Sequence, residues 1–189
     1  MRKIVFAALF CALFALAGAA LAEDNPELPK VGTPILITPF GQSQDANFVN
    51  LLARRAKIDT VYDLHIFAKD VDWSKYKTLF VVLGGSGKGL GSAGLDIPGE
   101  VERCNDLMAE AKKHNVAIVA LHIGGSDRRG PNSEPFLGYA GDADFSIVRR
   151  DGDEDGYFAK LCGEKKVPLY YIEKTNELKD VLPGMAKAD

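Results

Sequence analysis

Short apolar runs alternate with amphipathic stretches from residue 34 to the end of the chain. Residues 34–38 form a first apolar strand. Phe48, Leu51, Leu52 and Ile58 then recur at helical spacing, which predicts a helix over 45–57. A weaker strand falls at 60–64 and a short helix or turn at 72–76. Residues 78–83 and 116–121 are continuous apolar runs, the pattern of strands covered on both faces. Between them lies a long glycine-rich loop. Asp96, Pro98, Glu100 and Glu102 then mark the start of a helix with the buried stripe Val101, Cys104, Leu107, Met108 and Ala111. A fifth strand at 144–148, a helix at 157–164, a sixth strand at 168–172 and a closing helix at 177–188, interrupted at Pro183-Gly184, complete the series.

Strands alternating with helices predict a three-layer α/β domain over residues 34–189. Its sheet is doubly wound and mostly parallel, with five to six strands, Rossmann-like or flavodoxin-like. In such sheets a ligand crevice lies beyond the carboxyl ends of the strands. Strand three runs into Gly84-Gly85-Ser86-Gly87-Lys88. Strand four, 40 positions later, runs into His122-Ile123-Gly124-Gly125-Ser126-Asp127-Arg128-Arg129. Strand one gives the looser Gly41-Gln42-Ser43. Free amides of glycine-rich turns make anion-binding nests, and serine hydroxyls, lysine and arginine add donors and charge. The expected ligand-binding set is therefore Gln42, Ser43, Gly84, Gly85, Ser86, Gly87, Lys88, His122, Gly124, Gly125, Ser126, Arg128 and Arg129. Turn chemistry alone accounts for some of the glycines. The seven between Gly84 and Gly99 are more than one tight turn needs.

Named motifs mostly fail. A nucleotide P-loop needs a glycine where Val82 stands, and a Ser or Thr where Gly89 follows Lys88. Gly89, Gly91 and Gly94 match a lone dinucleotide fingerprint in the wrong context, so no cofactor is expected. No Gly-x-Ser-x-Gly elbow is present. A hydrolase reading would pair Ser86 or Ser126 with His122. Asp151, Asp153 and Asp155 match the first half of a calcium loop, but Cys162 stands where its bidentate glutamate belongs, so an acidic helix-capping turn is the better account. Cys104 and Cys162 each sit on an apolar helical stripe. With those helices expected on opposite faces of the sheet, both are read as free thiols rather than a disulfide.

The start of the chain changes the composition. Arg2 and Lys3 precede a thirteen-residue apolar run over 4–16, and Ala20-Leu21-Ala22 is a small-x-small site. Residues 1–22 read as a secretory signal peptide cut after Ala22, with 23–33 an irregular, proline-bearing lead-in. Losing two basic residues moves the formal charge from −3 to −5 and leaves 167 residues. That length suits one domain. The charge gives no footprint for nucleic acid, and the mature chain has no segment for membrane insertion. A periplasmic or secreted location is expected, where nucleotide-dependent chemistry lacks its cofactor.

The three loops together carry a resemblance. Thr38 with residues 41–46, the run 81–91 and the run 121–130 resemble an uncharacterised family of exported bacterial proteins, domain of unknown function 6305. The resemblance implies an exported α/β domain and no established activity. The residues themselves point to a single-lobe extracytoplasmic binding domain. It would take a small anionic solute, of carboxylate or phosphate type, and hand it to a membrane transporter or sensor. The alternatives are the exported hydrolase, and an interaction domain docking through the glycine loop. The missing zinc, paired-carboxylate and elbow motifs point away from an enzyme, and no oligomeric state follows from the sequence.

Overall fold

A computed structural model describes residues 25–186. The expected leader, residues 1–22, lies outside them. Six strands form one parallel sheet: β1 (Ile35–Phe40), β2 (Thr60–Tyr62), β3 (Thr78–Leu83), β4 (Ala117–His122), β5 (Phe145–Arg149) and β6 (Leu169–Ile172). Their order is β2-β1-β3-β4-β5-β6, the flavodoxin-type arrangement extended by one strand. β1 and β3 are in register over six residues each, from Ile35 opposite Thr78 to Phe40 opposite Leu83. Every position of both strands is buried.

Helix α1 (Asp45–Arg55) follows β1, α2 (Gly87–Ala93) and α3 (Ile97–Lys113) follow β3, and α4 (Glu134–Leu137) follows β4. Helix α5 (Tyr157–Lys165) follows β5, and α6 (Leu178–Met185) closes the described chain. α1 and α6 cover one face of the sheet, with Ala46, Val49, Leu52 and Ala53 against Val181, Leu182 and Met185. Helices α3, α4 and α5 cover the opposite face through Leu107, Phe136 and Phe158. Right-handed crossovers dictate this division. β1 to β2 steps one way along the sheet, and every crossover from β3 onwards steps the other way.

Several details differ from the sequence reading. The glycine-rich stretch is not one long loop, because α2 forms inside it, capped by Ser86, whose Oγ accepts from the Gly89 amide at 3.1 Å. The small residues Ala46, Val49 and Ala53 face the sheet from α1, leaving Phe48 and Leu51 exposed rather than in the core. Pro183 lies within α6 without breaking it. Cys104 and Cys162 are buried and free as expected, but for a different reason. Both pack on the same face, in one apolar cluster on separate helices. Burial raises the Cys104 thiol pKa and pushes that of Cys162 up to about 11, so neither is a ready thiolate.

The lead-in is tied down. The Val31 amide donates to the Met185 carbonyl at 2.9 Å. The Asn25 carboxamide makes two bonds to the edge strand β6, donating to the Tyr171 carbonyl at 2.8 Å and accepting from its amide at 2.7 Å. Among the described residues no helix is long and apolar enough to cross a membrane.

Candidate functional site

The loop leaving β1 is held by a buried ion pair. Glu100 and Arg103, one turn apart near the start of α3, have fully buried side chains and meet with Nη2 to Oε1 at 2.7 Å and Nε to Oε2 at 2.8 Å. Glu100 also accepts from the Gly41 amide at 2.9 Å and from Gln42 Nε2 at 3.1 and 3.2 Å. Arg103 donates to the Ile66 carbonyl at 3.0 Å, to Thr38 Oγ1 at 3.4 Å and to the Pro39 carbonyl. An arginine fork thus ties β1, the chain after β2 and α3 together. The clamp holds Gln42 at a φ of +62°, which turns the next residues towards the other face of the sheet. Sequence reasoning gave Gln42 a ligand contact and Glu100 only a place at a helix start. The structure commits Gln42 Nε2 to Glu100. The signal available was a Glu and an Arg three residues apart beside the apolar stripe of one helix.

Beyond this clamp a polar cleft of about 330 Å³ opens at the carboxyl ends of the strands. Asp45 and Phe48 enter it from the start of α1. Ile123, Gly124, Asp127 and Arg128 come from the loop after β4. Arg149, at the end of β5, and Thr175, ahead of α6, close the far side. Arg128 Nε donates to Asp45 Oδ2 at 3.0 Å, and among the described residues its terminal nitrogens make no hydrogen bond. A Cβ on Gly124 would lie 2.0 Å from Arg128 Cγ and 2.8 Å from Asp45 Oδ2, so only a glycine lets the pair cross the backbone here. Behind the pair sits Ser43, fully buried, with a hydroxyl that has no hydrogen-bond partner. A Cβ on Gly84 would lie 3.2 Å from that hydroxyl and 3.4 Å from Asp45 Oδ2, so the two oxygens flank the same glycine. Buried hydroxyls without partners are rare and mark a strain or ligand position.

Arg149 is already engaged. It grips Asp151 with Nε and Nη2, each at 2.6 Å, and this grip holds the Asp151 carboxyl below the usual carboxylate range. The Ser126 hydroxyl reaches the same carboxylate at 3.5 Å. A carboxylate of the chain itself therefore stands where the sequence suggested an incoming anion.

The other expected groups are dispersed. The Gly84, Gly85 and Ser86 amides are spent on the Phe40 carbonyl, Ser133 Oγ and the Gly41 carbonyl, so they form no free nest. Gly87 and Lys88 are exposed on the first turn of α2. Gly125 is buried, with a left-handed φ of +60°. Arg129 turns to the opposite face, where it binds the Gly152 carbonyl at 2.6 Å and Asp155 with both terminal nitrogens, and lies over the Tyr157 and Phe158 rings. Asp153 caps α5, accepting from the Phe158 and Ala159 amides at 2.6 and 3.0 Å. Asp151, Asp153 and Asp155 thus serve three different partners, and among the described residues no group of acidic, His and Cys side chains could hold a metal.

His122 is fully buried, with Nδ1 3.2 Å from the Leu83 carbonyl and Nε2 3.2 Å from the Gly125 carbonyl. It pairs with neither Ser86 nor Ser126. Burial lowers its pKa below the ordinary value, against the pull of the two carbonyls. The unfolded ring takes up a proton near pH 6.5 while the folded ring resists it, so acidification favours the unfolded chain. Urea unfolding between pH 7.5 and 5.5 is expected to lose up to about 1.4 kcal/mol per pH unit from this group. The loss should be smaller in His122→Gln. Equal pH dependence in both proteins contradicts the assignment.

A parallel sheet with a polar cleft at its carboxyl edge defines an α/β domain with a candidate site at the strand ends. The chain belongs to the family described as Domain of unknown function (DUF6305), matched over residues 32–185. No curated protein matches its sequence. Similar solved structures include the psychrotrophic esterase EstA from Pseudoalteromonas sp. inhibited by monoethylphosphonate. It is 10% identical, with 80% of this chain and 94% of that chain covered, at a TM-score of 0.36. AlinE4, an SGNH-hydrolase family esterase, is 11% identical, covering 85% of this chain and 84% of that chain at a TM-score of 0.31.

Proposed function

We propose that this domain binds a small carboxylate-bearing solute in the cleft between Asp45 and Arg149, in an exported chain that passes the solute to a membrane transporter or sensor. The observation that carries the reading is Arg128. It lines the cleft with its Nε anchored by Asp45, while its terminal nitrogens have no partner among the described residues. An arginine anchored on one side and open on the other is suited to gripping a carboxylate with two parallel bonds. Behind it lies the buried Ser43 hydroxyl, whose donor is unused. Lys88 and Arg129 take no part, which removes most of the positive charge that a multiply charged phosphate would require.

Thermal denaturation of the purified protein against a panel of organic acids, amino acids and inorganic phosphate tests this. At least one carboxylate-bearing probe should raise the melting temperature, and Arg128→Ala should weaken that probe tenfold or more while remaining folded. No stabilising probe, or a shift that survives Arg128→Ala, overturns the reading.

A hydrolase reading rests on one observation, the partnerless Ser43 hydroxyl at the end of β1. His122 is not its base, since both His122 nitrogens face main-chain carbonyls. Turnover of p-nitrophenyl acetate that is lost in Ser43→Ala would favour it over simple binding.

A further inference from the structure

The charges around the cleft do not suit a simple anion. We propose that the ligand is a small zwitterion, a carboxylate joined within a few bonds to an ammonium or other cationic group, as in an α-amino acid. The inference rests on the carboxylate reading above and narrows it. Four ionic side chains line the cleft: Asp45, Asp127, Arg128 and Arg149. Arg149 is neutralised by its two-point grip on Asp151. Asp127 is exposed and makes no hydrogen bond or ion pair among the described residues. Asp45 offers Oδ2 to Arg128 and keeps Oδ1 unused. The groups left to meet a ligand are therefore one half-used arginine and two carboxylates.

A ligand carrying only a carboxylate would gain Arg128 and be repelled by Asp45 and Asp127 at short range. A ligand carrying only a cation would find two carboxylates but press against Arg128. A zwitterion satisfies both sets at once, and its two charges need no separation beyond that of one small molecule. Gly124 makes this compact. Without a side chain there, Arg128 and Asp45 cross the same stretch of backbone and present opposite charges side by side. Phe48, exposed at the start of α1, adds an apolar surface on which a short aliphatic or aromatic substituent can rest. The cleft of about 330 Å³ is of the size of one such molecule and its hydration, not of an oligomer.

Calorimetric titration of the full chain with matched probes reads this directly. Alanine is compared with propionate and ethylamine, and phenylalanine with 3-phenylpropionate and 2-phenylethylamine. Glutamate and glycine betaine extend the set. At least one zwitterion should bind tenfold or more tighter than both its matched acid and its matched amine. Asp127→Asn should weaken that zwitterion several-fold while leaving the matched acid unchanged or improved. A neutralised carboxylate with a merely structural role would weaken both alike. Acids that bind as tightly as their zwitterions overturn this proposal and leave the carboxylate reading standing. Amines that bind as tightly as the zwitterions overturn both. No binding by any probe, with the fold intact by circular dichroism, also removes both.

Discussion

Replacing Arg103 with methionine is expected to destabilise the protein by about 3–5 kcal/mol, the usual loss when one member of a buried ion pair is removed. The cause is what remains. Glu100 would keep its full burial and its contacts with Gly41 and Gln42, but its charge would lose the guanidinium that holds both carboxylate oxygens. Thr38, Pro39 and Ile66 would lose a donor at the same time. The double variant Glu100→Gln with Arg103→Met should recover part of the loss, because the uncompensated charge is gone. Urea unfolding at neutral pH compares the three proteins. A single-variant loss below about 1 kcal/mol contradicts the clamp. The same variant should weaken any ligand of the cleft, since the clamp sets the turn that delivers Ser43 and Asp45.

Gly85→Ala is the second large effect. Its methyl group would lie 1.7 Å from the Asn132 carbonyl oxygen, 2.2 Å from its carbon and 2.7 Å from the Ser133 nitrogen. All three are main-chain atoms, so no side chain can swing aside. Gly85 also donates to Ser133 Oγ at 2.9 Å, fastening the two loops to each other. Forcing them apart should cost about 3 kcal/mol or more, at the upper end for overpacking. Gly87→Ala is the control. Its Cβ would meet only Asn132 Nδ2 at 3.6 Å, and it opens a helix, where alanine is well tolerated. Thermal denaturation should therefore lower the melting temperature for Gly85→Ala alone. Matching values for the two variants would contradict the close contact.

The sheet was legible because its inner strands are buried on both faces, and burial on both faces leaves uninterrupted apolar runs such as 79–83 and 118–121. α2 was not legible. Three of its seven residues are glycine, and intrinsic propensity argues against a helix. Burial of Leu90 and the Ser86 cap decide it instead. The site was legible in place and misleading in composition. Its loops were found at the strand ends, and Ser43, Gly124 and Arg128 do converge there. Of the three cations read as one cluster, Lys88 is carried off on the exposed turn of α2, and the two arginines separate because each answers to carboxylates supplied by other parts of the chain. Arg128 goes to Asp45, 83 positions away, and Arg129 to Asp155, 26 away. Arg149, at the end of β5, goes to Asp151. Such pairings leave no spacing rule to read. The face taken by α5 was legible in principle. Applied to the order of crossovers, the handedness rule puts it with α3, and the two thiols follow.

A sheet of parallel strands ends on each flank with amides and carbonyls that point at nothing, and such a flank invites a foreign strand. On the β2 side the invitation is brief, since that strand is three residues long. On the β6 side Asn25 answers it. A carboxamide carries the same donor and acceptor as one peptide unit, so it gives Tyr171 what a seventh strand would give. It then stops, because a side chain has no next residue with which to continue the ladder. The segment leading into the domain thus doubles as the terminator of the sheet, and a chain trimmed past Asn25 would carry an edge open to its neighbours.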